Sequence, residues 1–465
     1  MTNQYSSSLR RFSSDYGMLA VLLLLCLLFS LLTITEQYPT GTTAANSLVD
    51  AIVSKMTINA PVVVVIPDNT EDRAFASAVK SKLATHGVTV LDPVIGEPAA
   101  VRFALDSLVA TGDNAPGYIF TTHAFAPTVR MIQQSIAGLE SAKVVEPPSY
   151  KWPTFLLSDN IRNVANQITV IAIIAIGMTM VIITAGIDLS VGSLIALSAV
   201  MVAHLVSLMG GAGASSAGVL LAGLGGILLC GGIGAFSGLM ITGFRIPPFI
   251  ATLGMMQVAA GLAYIISEGR PIYQLPDGFV WLGRGIDPIL HVPIAVILML
   301  VLYVVAHLVM TRTTFGRYIY AVGGNPEAAR LAGIRVNGVL FAVYTICGLL
   351  AGLGGAVMAS QLKSGAPTYG LTYELYVIAA VVVGGTSLMG GEGRILGTLI
   401  GAFIIAVIQN GMNLTNVESY TQKVVLGLVI LGAVLVDRLK HTRLKRLRKH
   451  RESEPTPAAP TRPSA

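Results

Sequence analysis

Between two apolar runs, each long enough to cross a bilayer, the chain keeps a short charged island, Glu327-Ala328-Ala329-Arg330-Leu331-Ala332-Gly333. It reads E-A-A-x-x-x-G and offers a docking surface rather than a catalytic group. Gly323-Gly324-Asn325 reads as a turn. Pro326 suits the first turn of a helix, and Glu327 just after it favours the helix's positive end. Ala328, Ala329, Leu331 and Ala332 then make a smooth face that can lie in a groove on another protein. Gly333 ends the helix. The plainer alternative is an inter-helix loop with an alanine-rich turn.

A second motif is Thr184-Ala185-Gly186-Ile187-Asp188-Leu189-Ser190-Val191-Gly192-Ser193. Asp188 is the only acid between Asn160 and Glu268. An isolated acid at a membrane boundary is expensive, so it is a functional candidate. The simpler structural reading is a cap for a helix starting near Leu189, with Ser190 satisfying nearby backbone. A third motif is Gly384-Gly385-Thr386-Ser387-Leu388-Met389-Gly390-Gly391-Glu392-Gly393-Arg394. So many glycines cannot form a lipid-facing helix, and irregular backbone at that depth must be buried in protein or line a cavity. With no G-K-[ST] and no preceding soluble strand, it is not a phosphate loop. A tight turn packed near the Glu327 island fits better, with Glu392 and Arg394 pairing with each other or with a partner.

Gln257, Gln409, Asn410 and Asn413 are amides in otherwise apolar spans. They are candidates to line a polar path, or simply hydrogen bonds between helices. Gly234/Gly238, Gly348/Gly352 and Gly397/Gly401 are G-x-x-x-G packing pairs. His204, His291 and His307 are scattered, and Cys26, Cys230 and Cys347 lie far apart in apolar runs. No metal site or disulfide framework is expected.

The elements that must carry these motifs are membrane helices. The chain has 465 residues, 53% hydrophobic and 12% charged, with mean hydropathy +0.71. A soluble domain carries about 25% charged residues. Apolar spans read near 168–186, 191–209, 217–240, 249–266, 292–311, 337–359, 374–390, 395–413 and 422–437. The span at 374–390 is short and glycine-ended, as in a broken or re-entrant element. Arg10 and Arg11 precede an apolar run from Met18 to Leu32 with no prompt A-x-A site, which favours a retained helix over a cleaved signal. The total is about ten helices.

Residues 36–150 do not read as membrane. Val62 to Ile66, Val88 to Leu91 and Gly117 to Thr121 read as strands. Glu71 to His86, Pro98 to Ala110 and Pro127 to Leu139 read as helices. That alternation implies a small parallel sheet. Pro147-Pro148 and Pro153 read as a linker. The expected fold is an all-α polytopic membrane protein with an inserted extracytoplasmic α/β domain after the first helix. Its segments are 1–35, the N-terminus and first helix; 36–150, the insert; 151–437, the membrane domain; and 438–465, a basic, Pro-rich tail. Alternation from a cytoplasmic N-terminus puts Arg245, Arg312, Arg317, Arg330, Arg335, Arg394 and the tail inside, as the positive-inside rule requires. The net charge of +6 is concentrated in that tail, which suits a stop signal on anionic lipid rather than nucleic-acid binding.

AIGMTMVIITAGIDLSVGSLIAL, PPFIATLGMM, GRYIYAVGGNPEAARLAGI, YELYVIAAVVVGGTSLMGGEGRILGTLIGA and IQNGMNL together resemble the membrane permeases of bacterial ribose, xylose and related simple-sugar ABC importers. The resemblance covers roughly 155–437 and the first helix. It implies a multi-pass inner-membrane subunit, in a dimer of permeases, expected to be a homodimer. Cytoplasmic ABC ATPases that bind ATP and Mg would dock on it, and a periplasmic sugar-binding protein would deliver the substrate. Asn325, Pro326, Glu327, Ala328, Ala329, Arg330 and Gly333 fall in the family's docking segment, Asp188 in its G-I-D-L-S-V-G segment and Gly384 to Arg394 in its G-G-T-S segment. The resemblance implies no catalytic residue and no cofactor in this chain. Residues 36–150 depart from the family, and their β-α-β-α-β order resembles half of a periplasmic sugar-binding protein.

There are three rival readings. An ion-coupled carrier predicts intramembrane acids or inverted repeats, and neither is evident. A ligand sensor predicts a signalling domain at the C-terminus, where only a short tail follows. Import of branched-chain amino acids by a related permease is the nearest alternative.

Overall fold

The computed structural model describes residues 2–452 except 57–59, 111–115 and 274, with side chains described from 17 to 435. The expectations for the basic side chains of the tail and for the Pro-rich stretch from Pro455 lie outside that description. The chain divides into two units. One is Met1–Leu32 with Phe155–Ala465, and the other is Thr33–Thr154.

Helix α1 (Thr2–Leu32) belongs to the first unit. The second unit then runs β1 (Ile34–Gln37), α2 (Gly41–Ile52), β2 (Val62–Ile66), α3 (Thr70–Thr85), β3 (Val94–Ile95), α4 (Pro98–Ala110), β4 (Tyr118–Phe120), α5 (Ala126–Ser135), β5 (Lys143–Val145) and β6 (Tyr150–Pro153). Strands β2 to β5 form a parallel sheet in the order β3-β2-β4-β5. Strand β2 is apolar at every position because both its faces are covered. Val62, Val64 and Ile66 pack with α2 and α3, while Val63 and Val65 pack with α4 and α5.

The structure corrects several details here. The strand expected at Val88 to Leu91 forms at Val94–Ile95, and Val90 makes only a single bridge to Val62. Pro93 lies between the two pairings and has no N–H to continue the ladder. Helix α5 stops at Ser135, before Leu139, because the Gln133 amide donates to the carbonyls of Leu139 and Ala142 and folds the chain back. Pro153 is not in a linker. It ends β6, which pairs antiparallel with β1 so that Ile34 faces Pro153, an edge position proline tolerates.

The first unit continues with α6 (Ser158–Ile183), α7 (Val191–Leu208), α8 (Ser216–Gly243), α9 (Pro248–Ile266), a short α10 (Val280–Arg284), α11 (Ile294–Arg312), α12 (Thr314–Gly324), α13 (Pro326–Leu331), α14 (Val336–Leu362), α15 (Tyr373–Val383), α16 (Ile395–Leu414) and α17 (Ser419–Glu452). Among the described residues, seven of these helices are long and apolar enough to cross a membrane. Shorter apolar stretches lie at Gly17–Leu32, Tyr373–Val383 and Ser419–Leu435. Helix α6 starts ten residues before the apolar run that marks it, because its first turns are polar. Asp159 pairs with Arg162, and Asn160 exchanges amide hydrogen bonds with Asn410 at 3.0 and 2.8 Å.

Helix α14 is the hub and packs on α6, α7 and α8. The apolar faces of α8, α9, α11 and α17 stay exposed, including Leu220, Leu228, Ile265, Val304 and Leu431. Such faces belong against lipid. Helices α8 and α14 approach backbone to backbone, as small residues allow. A Cβ on Gly234 would lie 2.4 Å from the Tyr344 carbonyl oxygen, whereas one on Gly232 would meet nothing within 4 Å. Gly234→Val should therefore cost about 1–3 kcal/mol of stability, read as a lowered Tm in detergent, with Gly232→Val unchanged. Equal effects would show that this contact does not hold the bundle.

Candidate docking and pathway sites

The Glu327 island is a surface helix at one end of the bundle. Thr313 caps α12, its hydroxyl accepting from Gly316 N–H. Helix α12 runs through Gly323 and Gly324, so these glycines close a helix rather than form the expected turn. Asn325 caps α13, its Oδ1 accepting from Ala328 N–H at 3.0 Å, with Pro326 in the first turn. Glu327 and Arg330 pair at 2.9 Å. Pro326 and Glu327 mark this helix start in the sequence, while Asn325 is its cap rather than part of the expected turn. Gly333 ends it with φ +83°, a conformation that favours glycine.

The face is less uniform than the alanines suggest. Ala329 turns inward and is buried, whereas Leu331 is 90% exposed. Beside the helix an open hollow of about 410 Å³ is lined by Phe315, Tyr318, Gly333, Ile334, Arg335 and Val339 among others. An exposed leucine next to a partly apolar hollow is a surface suited to a protein partner.

The glycine-rich motif packs on the base of this segment. Gly391 N–H donates to the Ile183 carbonyl at 2.8 Å. A Cβ on Gly323 would lie 1.7 Å from that same oxygen and 2.7 Å from Gly391 nitrogen. Gly384 ends α15, and Gly385, Gly390 and Gly391 have positive φ. Ser387 N–H donates to the Glu392 carbonyl and Gly390 N–H to that of Ser387. Tyr320 hydroxyl donates to the Gly393 carbonyl at 2.8 Å. Thr386 is buried, while Glu392 and Arg394 are exposed.

Asp188 is not a helix cap, and it does not sit at the end of the bundle. Helix α7 starts at Val191 with Ser190 before it. Asp188 Oδ1 accepts from Ser190 N–H at 2.9 Å and from its hydroxyl at 2.6 Å. Both residues are fully buried. The stretch from Thr184 turns back into the bundle, so that Gly186 meets Tyr344 and Asp188 lies beside Tyr344 and Cys347. Cys347 is about three turns into α14. The Tyr344 hydroxyl has no hydrogen-bond partner, and the Asp188 carboxylate lies within reach of the Cys347 thiol.

A second break faces this one. Helix α15 has 11 residues, roughly 16 Å, about half of the hydrocarbon thickness. The irregular stretch leading to it runs along α7. Gly365 packs on Ala199 and Ala203, and Gly370 on Gly192 and Ile195; a Cβ on Gly192 would also clash with the Glu374 carboxylate. Near the opposite end of the bundle from α13, a cavity of about 300 Å³ opens between α6, α14, α15 and α16. Its polar lining is Gln167, Gln361, Tyr373, Tyr376 and Gln409. Tyr373 and Tyr376 meet edge to face, ring centroids 6.1 Å apart.

Of the amides picked from sequence, Gln409 lines this cavity. Asn410 bonds to Asn160, Asn413 Oδ1 accepts from Gln422 at 2.8 Å, and Gln257 lies exposed on α9. Gln167, Gln361, Tyr373 and Tyr376 come from separated elements, and no local spacing points to them. Among the described residues, no group of three His, Cys, Asp or Glu is placed to hold a metal ion.

These features define a polytopic helical membrane protein with two interrupted spans, a polar cavity between helices and a short surface helix at one end. The family model described as "Branched-chain amino acid transport system / permease component" matches residues 160–434, and the chain belongs to this family. It is 45% identical over 282 residues to the ribose import permease protein RbsC of Escherichia coli (strain K12), covering 60% of this chain and 85% of that one. It is 46% identical over 280 residues to the protein of the same name from Bacillus subtilis (strain 168), covering 60% and 84%. It is also 38% identical over 279 residues to the D-allose transport system permease protein AlsC of Escherichia coli (strain K12), covering 59% and 82%. No solved structure matches. The family match begins after Thr33–Thr154.

Replacing Asp188 tests its role in the break. Asp188→Asn keeps an acceptor for Ser190 and should leave the Tm within a few degrees of wild type. Asp188→Leu strands the Ser190 N–H and hydroxyl and should cost about 1–3 kcal/mol. Equal stability of the two variants would sink the account of Asp188 as the buried acceptor of this turn.

Proposed function

We propose that the chain is the membrane permease subunit of an ATP-driven ABC importer for a simple sugar of the ribose or xylose kind. What carries the reading is the capped, exposed helix Pro326–Leu331 on a chain 45% identical to a ribose import permease. The relatives are named for ribose, allose, arabinose and fructose, which favours a sugar over the branched-chain amino acids of the family's description. The polar cavity suits that substrate class. Amides and tyrosine hydroxyls exchange hydrogen bonds with sugar hydroxyls, and the aromatic rings suit the apolar face of a sugar ring.

In this reading Asn325 to Gly333 is the docking segment for cytoplasmic ABC ATPases, which bind ATP and Mg; this chain has no catalytic site or cofactor of its own. Arg312, Arg317, Arg330, Arg335 and Arg394 gather toward the α13 end of the bundle, which supports a cytoplasmic position for that end in the bacterial inner membrane. Alternation through α1 then leaves both termini cytoplasmic and Thr33–Thr154 outside. A second copy of the permease and a periplasmic sugar-binding protein complete the assembly. Mechanically, closure of the ATPases moves α13. Because Gly323 lies against Ile183 and Gly391, that movement reaches α6 and the glycine-rich turn, and the bundle changes the side to which its cavity opens. The substrate and partners favour different states, and that difference supplies the coupling.

Two measurements test the reading. Wild-type protein in detergent should co-purify with an ABC ATPase, while Glu327→Arg/Leu331→Arg, folded by its Tm, should not. Retention of the ATPase by that variant would remove α13 from the docking role, and its absence from wild type would remove the importer reading. Separately, Gln361→Leu/Gln409→Leu should slow uptake of low sugar concentrations about thirtyfold, from two hydrogen bonds of about 1 kcal/mol each, with ATPase assembly intact. Unchanged uptake would take the cavity out of the path.

A further inference from the structure

The sheet of Thr33–Thr154 carries an unassigned feature at its carboxyl edge. From β2 the chain leaves into α3, whose Phe75, Val79 and Leu83 pack on one face of the sheet. From the neighbouring β4 it leaves into α5, whose Val129 and Ile132 pack on the other. Adjacent parallel strands whose exits diverge to opposite faces open a crevice beyond their carboxyl ends, and ligands of open α/β sheets bind there.

The residues at this crevice are polar. Pro67, Asp68 and Asn69 follow β2, and Thr121, Thr122 and His123 follow β4. Thr121 is fully buried and Thr122 is 8% exposed, yet neither hydroxyl has a hydrogen-bond partner. One buried orphan hydroxyl is costly. Two in succession, at the carboxyl end of a central strand, point to a ligand group that completes them. The ring of Tyr38 stacks on His123, centroids 3.3 Å apart and 3° from parallel, and forms an aromatic plate beside the threonines.

The charges at this edge select the ligand class. Asp68 is paired with Arg73 at 2.7 Å. Glu146, just beyond β5, accepts from His123 Nδ1 at 2.8 Å and from Arg130. Partial burial acts to raise Glu146, but the bonds from Arg130 and His123 outweigh it and hold the carboxyl below its ordinary range. Each arginine is thus already matched by a carboxylate, and Glu71 and Asp72 add negative charge in the first turn of α3. Among the described residues, an anion such as phosphate finds no free cation at this edge. A neutral ring with several hydroxyls finds donors, acceptors and an aromatic plate.

We infer that the carboxyl edge of this sheet, between the Asp68–Asn69 and Thr121–His123 loops, is a binding site for a small neutral polyhydroxylated ligand of monosaccharide size. The site is separate from the cavity in the helix bundle and does not rest on the transport reading. Its threonines, not a charged clamp, are its positioning groups.

Hydrogen–deuterium exchange on the full chain in nanodiscs tests this, with D-ribose, D-allose, L-arabinose and D-fructose as probes at millimolar concentration. At least one sugar should slow exchange in peptides covering 66–70 and 118–126. Thr121→Val/Thr122→Val should weaken that protection at least about tenfold, while its ligand-free Tm holds or rises because the orphan hydroxyls are gone. Tyr38→Ala, which leaves both threonines in place, should weaken it as well. Protection confined to the bundle, protection by inorganic phosphate in place of the sugars, undiminished binding by the valine variant, or no protection by any of the four sugars would each overturn the inference. None of these outcomes bears on ATPase co-purification, so the transport reading stands or falls separately.

Discussion

Hydrocarbon supplies no water to a backbone that leaves its helix, so every break in a span must be closed by other protein. In this chain the decisive closure is the hydrogen bond from Gly391 N–H to the Ile183 carbonyl, with Gly323 lying directly against it. The end of α6, the glycine-rich turn and the base of the surface helix α13 meet at that point. Any side chain on Gly323 would drive them apart. The contact is rigid because it is backbone on backbone, with no rotamer to yield. That rigidity makes it suited to passing movement from a surface helix into the packed bundle, the role it takes in the proposed mechanism.

The two interrupted elements depend on the same economy of side chains. The stretch from Thr184 to Ser190 turns inward and satisfies itself through Asp188, while the stretch before Tyr373 lies along α7 on Gly192, Ala199 and Ala203. Shortening α15 to 11 residues leaves room beside α6, α14 and α16, and the polar cavity lies between these helices. Glutamines and tyrosines that would be costly against lipid are tolerated there because they line a cavity, and the Gln361 amide also donates to the Asn166 carbonyl at 2.9 Å. Breaks and cavity are thus one feature: irregular backbone is admitted only where it lines an interior.

Thr33–Thr154 is a self-contained solution to a different problem. Its central strand is apolar on both faces because helices cover both, and its ends are tied by the β1–β6 pairing. The polar groups that cannot enter either core collect at the carboxyl edge of the sheet, where two threonine hydroxyls remain without partners. In the bundle an unpaired group such as the Tyr344 hydroxyl sits deep among apolar helices; here the unpaired groups stand where chain topology opens a crevice.

Local sequence determined the parts whose physics is local. Apolar runs marked the spans. Pro326 and Glu327 marked a helix start, since proline and acid act within one turn, while the cap at Asn325 stood in what reads as a turn. Glycine density marked a turn near Gly390, and strand–helix alternation marked the α/β unit. Where neighbours along the chain mislead, tertiary structure decided. The polar start of α6 is helical because Asn160 finds Asn410, 250 residues away. Ala329 is buried although its neighbours are exposed, because one face of a six-residue helix rests on the bundle. Asp188 lies inside rather than at the boundary because its segment turns back along α14. The cavity joins Gln167, Gln361, Tyr376 and Gln409 across elements with no common spacing. A sequence states which groups must be satisfied, but long-range packing chooses the partner, and in a membrane that choice separates a structural amide from one that lines a path.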